Sequence, residues 1–164
     1  MSKYQLAEIN VATLKSPLDS PELKDFVDNL DRINALAEGS PGFVWRLKGD
    51  GNDATSLRPL GDNVLVNMSV WRDVDALRVF TYKTAHVEIM RRRREWFTRM
   101  ADAYLALWWV PSGHEPTVAE AVAKLMLLRE RGPCADVFTF GEAYSAPDGR
   151  TPGVRFSFKD SCPA

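Results

Sequence analysis

The chain has 164 residues, 45% of them hydrophobic and 26% charged, which is the length and composition of one soluble globular domain with a sizeable core. Its 21 basic residues balance 22 acidic ones for a net charge of −1, whereas a protein that holds nucleic acid through phosphates carries a marked positive excess. Cys134 and Cys162 match no zinc-ligand or C-x-x-C spacing, and no stretch is apolar for long enough to span a bilayer or serve as a secretory leader; a cytoplasmic protein with neither membrane nor nucleic-acid partner is expected.

In chain order, "YQLAEINVATL" (Tyr4–Leu14) alternates as a strand does. "PLDSPELKDF" then stops it and starts a helix, with Ser20 placed to cap and Pro21 at the first helical position. Leu23, Phe26, Val27, Leu30, Ile33 and Ala37 follow at helical spacing until Gly39 and Pro41 end the run. "FVWRLKG" (Phe43–Gly49) and "VLVNMSVW" (Val64–Trp71) read as a strand pair joined by the turn-rich "GDGNDATSLRPLGDN". On the second strand, Leu65, Asn67, Ser69 and Trp71 share one face. A single long helix is predicted from about Asp73 to about Met100, and "LALWWVP" (Leu105–Pro111) is a strand. Thr117 and Glu120 form a T-x-x-E capping box for a further helix that ends at "RGP". "VFTFGEAY" (Val137–Tyr144) reads as a last strand, and "VRFSF" in the tail as a short extra one.

The first six elements run β-α-β-β-α-β, the split-βαβ order of an α+β, ferredoxin-like sandwich with helices on one face of the sheet. An extra α-β follows, then a tail. The domain is placed at 1–146 and the C-terminal tail at 147–164. The sheet's other face is apolar and needs cover, which a second copy of the chain can supply; a homodimer is therefore expected.

The segment "TAHVEIMRRRREWFTRM" (Thr84–Met100) contains four consecutive arginines. At ~100° per residue these point in four directions, so they make no basic stripe. Projection of the helix places Val79, Tyr82, His86, Ile89, Met90, Arg93, Phe97 and Met100 within an arc of roughly 100°, the width of a buried stripe. A histidine, an arginine and a phenol thus face the interior, where a guanidinium is expensive to hold without a partner. Asn34 repeats the anomaly on the first helix, and Asn67 and Ser69 do so on a strand. With Trp45 and Trp71 as apolar walls, and Met90 and Phe97 beside them, these residues outline a polar-tipped aromatic cavity between sheet and helices. A rival stripe of Leu77, Phe80 and Val87 would instead turn His86 towards solvent or a second copy. His114, beside a helix start, reads as structural. Zinc-ligand spacing, a G-x-S-x-G elbow, a P-loop and a G-x-G-x-x-G fingerprint are all absent.

The stretches "PLDSPELKDFVDNLDRINALAEGSPGFVWRL", "LVNMSVWRDVDALRVFTY", "HVEIMRRRREWF" and "LWWVPSGHEPTVAEA" resemble an uncharacterised bacterial family, a domain of unknown function often labelled monooxygenase-like. The resemblance covers about residues 4–146 and places the chain in the dimeric α+β-barrel superfamily, which includes the antibiotic-biosynthesis monooxygenases. It implies a cavity that hosts one of two chemistries. One is cofactor-free, carried out by oxygenases, cyclases and isomerases acting on aromatic or polyketide-like substrates. The other is haem-based, and His86 is then the histidine placed as axial ligand, with Arg93 able to meet a propionate.

The residues support three expectations. The first is a cofactor-free enzyme acting on an apolar, secondary-metabolite-like small molecule. His86 is its general acid/base, Arg93 stabilises an oxyanion or enolate, and Tyr82 and Asn34 orient the substrate. The second is a haem enzyme liganded by His86, and the third a non-enzymatic ligand-binding dimer. The sequence assigns no role to the tail or to Cys162.

Overall fold

The computed structural model describes residues 2–149. It contains strands β1 (Tyr4–Thr13), β2 (Phe43–Arg46), β3 (Val64–Trp71) and β4 (Leu105–Pro111), and helices α1 (Lys24–Glu38), α2 (Val74–Lys83), α3 (His86–Trp96) and α4 (Val118–Arg131). The strands form one antiparallel sheet in the order β2-β3-β1-β4. Each βαβ unit is therefore split by a strand from the other, the ferredoxin-like arrangement expected of this α+β chain.

Register explains how the central strand serves two environments. Leu6, Glu8 and Asn10 of β1 lie opposite Trp71, Ser69 and Asn67 of β3 and opposite Trp109, Leu107 and Leu105 of β4. Because side chains alternate, these residues share one face of the sheet, under α1, α2 and α3. Ala7, Ile9 and Val11 point the other way, with Val66, Met68 and Val70. That second face is not left open. Ala121, Leu125 and Leu128 of α4 pack on it together with Leu47, Leu57 and Leu60 from the β2–β3 connection. The apolar surface on which the expectation of a second copy rested is thus covered from within the chain.

Four local expectations are corrected. The long helix from Asp73 to Met100 is two helices, interrupted at Thr84 and Ala85. Thr84 is extended (φ −116°, ψ −179°); its hydroxyl donates to the Phe80 carbonyl at 2.5 Å and accepts from the His86 amide at 3.3 Å. A β-branched hydroxyl residue thereby competes with the helical ladder and restarts it. "VFTFGEAY" is no strand. Phe138 exchanges both backbone bonds with Leu107, but Val137 and Phe138 are consecutive and both fully buried, one in each core layer, and the Glu142 amide then turns back to Thr139 Oγ1. Ser20 makes no capping bond, and a 3-10 turn over Pro21–Leu23 precedes α1 instead. The α4 capping box is half formed. Thr117 Oγ1 accepts from the Glu120 amide at 3.1 Å, while the Glu120 carboxylate takes Trp108 Nε1 at 3.0 Å and His114 Nε2 at 2.7 Å. His114 is a structural residue in this network. "VRFSF" and Cys162 lie outside the described residues.

At one glycine the fold requires the absence of a side chain. Gly42 (φ +88°) turns the chain into β2, and a Cβ there would come within 2.6 Å of Ala76 Cβ on α2. This close approach seats α2 at the end of the cavity described next.

Candidate active site

Between the polar stretch of the sheet and helices α1–α3 lies a cavity of about 480 Å³, well within the range of small-molecule sites. Its floor is the sheet: Glu8 and Asn10 from β1, Leu65 and Asn67 from β3, and Leu105 from β4. Phe26, Leu30, Ile33 and Asn34 of α1 make one wall. The other comes from α2 and α3, with Leu77, Phe80, Tyr82, His86, Ile89, Met90 and Arg93, followed by Phe97 and Met100.

The predicted stripe therefore does line a cavity, except for Val79, which is exposed. The break at Thr84 also reconciles the rival stripe. Leu77 and Phe80 are buried on the sheet with Trp71, and the restarted helix brings the His86 ring back over Phe80, centroids 4.8 Å apart. His86 is half-buried because it borders the cavity. Its Nδ1 lies 3.2 Å from the Thr81 carbonyl; a carbonyl can only accept, so Nδ1 carries the proton and Nε2 is the ring's free lone pair. Burial, and secondarily the charge of Arg93, hold His86 below the ordinary histidine range, against the opposing effect of the Thr81 bond. The ring is neutral at pH 7.

Arg93 places its guanidinium carbon over the face of Tyr104, 4.7 Å from the ring centroid. Tyr82 stands at the mouth, 38% exposed, edge-on to Phe140 at 5.7 Å. Asn34 and Asn67 face the cavity as expected. Three expected lining residues do not. Trp45 lies on the opposite face of the sheet, paired with Val70 across a bulge in β2. Trp71 is 1% exposed and stacks on Phe80 (5.1 Å), one layer behind the wall. Ser69 is buried beneath the floor, where its hydroxyl donates to Glu8 Oε1 at 2.9 Å.

Glu8 is the principal residue that sequence reasoning missed. It is 4% exposed and faces the cavity. Burial pushes its carboxyl up from 4.5 to about 7, opposed by the hydrogen bonds from Asn10 and Ser69. Asn10 Nδ2 reaches both carboxylate oxygens at 3.2 Å. A signal was present: a carboxylate and an amide on one face of a strand that has neighbours on both sides.

These parts can perform proton transfer. A neutral imidazole and a carboxyl balanced between its two forms at neutrality face one apolar space, with a guanidinium beside the imidazole. Among the described residues no cluster of three or more His, Cys, Asp or Glu side chains is arranged to hold a metal ion, and no helix is long and apolar enough to cross a membrane.

The chain matches the model of the family described as "domain of unknown function (DUF3291)" over residues 5–154, and it belongs to that family. No curated protein matches it. Among solved structures it is similar to SnoaB, a cofactor-independent oxygenase from Streptomyces nogalater, at 20% identity and a TM-score of 0.45, over 71% of this chain and 98% of that one. It is similar to a Pseudomonas aeruginosa protein at 15% identity and a TM-score of 0.47, over 70% and 98% of the two chains. A protein of unknown function from Nitrosomonas europaea matches at 12% identity and a TM-score of 0.44, over 70% and 95%.

Proposed function

We infer that the cavity is the active site of an enzyme that performs acid–base chemistry on an apolar small molecule without a bound cofactor. One observation carries this reading: Glu8 and His86, each displaced by burial from its ordinary titration, face the same 480 Å³ space. His86 Nε2 removes a proton from an acidic O–H or C–H of the substrate. Arg93 stabilises the resulting phenolate or enolate. Glu8 in its protonated form donates to the substrate's carbonyl or hydroxyl, and Asn34, Asn67 and Tyr82 orient the molecule. The anion can then isomerise or cyclise, or it can give its electrons to dioxygen in an oxygenation.

The test is incubation with apolar phenols and enolisable ketones in D2O, following deuterium incorporation, product mass and oxygen uptake. Replacing His86 or Glu8 with Gln is expected to lower the rate by about 10²–10⁴, the range of general acid–base catalysis, with binding retained. Ligands that bind with no exchange or turnover would leave a binding protein.

A second reading is favoured by the anchored His86. An imidazole that holds a metal keeps one nitrogen free for it while the other is held by an acceptor, and the Thr81 carbonyl is such an acceptor for Nδ1. His86 would be the ligand and Arg93 the partner of a propionate. Bound haem would supply redox chemistry at its iron. An absorption spectrum before and after addition of haemin decides: a sharp Soret band lost in His86→Ala and kept in His114→Ala supports haem, and an unchanged spectrum removes it.

A further inference from the structure

The arginines of this chain differ in what satisfies them. Arg46, Arg72, Arg78 and Arg92 each pair with a carboxylate within 3.2 Å; Arg58 and Arg129 donate through Nε to backbone carbonyls, although Arg129 Nη2, away from the cavity, is buried without a partner. Arg93 is half-buried and faces the cavity, yet among the described residues it makes no ion pair and donates no side-chain hydrogen bond; its neighbour is the face of Tyr104. Contact with a ring face leaves the N–H donors of a guanidinium open. The cavity does not provide the missing anion. Burial favours the neutral form of Glu8 up to about pH 7, Asp53 is occupied by the Thr55 amide and hydroxyl, and Asp102 is exposed at the rim. The charge of Arg93 reaches His86 and depresses its proton affinity, as an uncompensated cation does. A partly buried cation without a counterion is unfavourable until a ligand supplies one, and the guanidinium fork matches a carboxylate in two parallel bonds.

We propose that the cavity binds an apolar organic acid, its carboxylate paired with Arg93 and its hydrocarbon body against Leu30, Ile33, Phe80 and Met90. This rests on the reading of the cavity as a small-molecule site and adds the class of molecule. It also narrows the role given to Arg93 above: the guanidinium holds the acid group, protonated Glu8 is left to donate to the reacting oxygen, and His86 Nε2 is left for the reacting proton.

The test uses 1-naphthoate and its methyl ester, titrated by intrinsic fluorescence and by calorimetry at pH 6, where the ligand is ionised and Glu8 is mostly neutral. The acid is expected to bind at least tenfold more tightly than the ester. That preference should vanish in Arg93→Gln, survive in weakened form in Arg93→Lys, and be unchanged in Arg94→Gln, which alters an exposed arginine adjacent in sequence. Equal binding of acid and ester overturns the proposal and leaves the cavity reading standing, as does a preference that persists in Arg93→Gln. Failure of both compounds to bind overturns the cavity reading and the proposal with it. A porphyrin's propionates offer the same chemistry, so protoporphyrin and its dimethyl ester form a second pair; an acid preference confined to that pair overturns the small-acid assignment.

Discussion

Ser69 and Glu8 face each other across the β1–β3 pair, the hydroxyl of one 2.9 Å from Oε1 of the other. Trp71 Nε1 donates to the same hydroxyl at 2.8 Å, which commits the single Ser69 proton to Glu8. The carboxyl that faces the cavity is thus fixed by a chain beginning in the aromatic layer behind it. Buried polar groups are tolerated when each is satisfied, and here the indole, the hydroxyl and the carboxyl all are.

Glu8 makes the protein's stability fall with rising pH across one window. Its folded pKa, about 7, lies above the value of 4.5 without burial, so the native state binds the proton more tightly than the unfolded state. The resulting stabilisation is complete below about pH 4.5 and is lost as pH rises through 7. The displacement corresponds to ~3 kcal/mol. Glu8→Gln removes the dependence. Thermal melts should show the variant gaining on the wild type between pH 5 and pH 8 and holding that gain above it; a constant difference across the range would refute the displaced carboxyl.

Ser69→Ala breaks the relay from behind. It leaves the Trp71 indole N–H buried without its acceptor and deprives Glu8 of a donor, at a cost of about 2 kcal/mol. Losing a bond that favours the ionised form should also move the Glu8 titration further up. Carbon-13 NMR of the Glu8 carboxyl, followed beside the melting temperature, reads both effects; an unmoved titration would mean that Ser69 is not its donor.

His86 offers a spectroscopic check. With Nδ1–H given to the Thr81 carbonyl, the neutral ring must be the Nδ1-protonated tautomer, and it should resist protonation until below the ordinary histidine range. The sign is opposite to that of Glu8: this contribution to stability is present above pH 6.5 and is lost as pH falls through the lower folded value. Nitrogen-15 shifts of the ring between pH 4 and pH 8 give tautomer and midpoint together. An Nε2-protonated ring would remove Nε2 as the base, and a midpoint above 6.5 would refute the lowering by burial.

Much of this site was legible because periodicity reports facing. His86, Ile89, Met90 and Arg93 share one side of α3 at helical spacing, and Asn34 interrupts an apolar stripe. The break at Thr84 was not legible, since a threonine that caps and a threonine that merely faces solvent look alike without the Phe80 carbonyl beside it. Trp45 and Trp71 were placed at the cavity because aromatic residues mark walls; a bulge at β2 turned one away, and Phe80 came between the other and the space. Glu8 escaped notice for a different reason. Its strand alternates acceptably, and what removes the carboxyl from water is the cover of α1, α2 and α3 over that face of the sheet, which the pattern of β1 alone does not report. Val137 and Phe138 mimic a strand in composition, but they bridge two core layers instead of extending one.

The covered second face of the sheet makes a prediction about association. Leu125 of α4 is fully buried among Ile9, Met68 and their neighbours, so α4 occupies the surface that a second copy would otherwise take. Leu125→Ala removes part of that cover and should destabilise the chain by about 2–5 kcal/mol, the range of large-to-small core substitutions. Folding stabilised by contacts within one chain gives a melting temperature independent of protein concentration, whereas a second copy that binds only the folded state raises it with concentration. Melts of wild type and Leu125→Ala over a hundredfold range of concentration therefore distinguish the two. No concentration dependence in the wild type, with a large loss in the variant, assigns the cover to α4. A rising midpoint in the wild type would mean that a second copy still contributes, through a surface other than this sheet face.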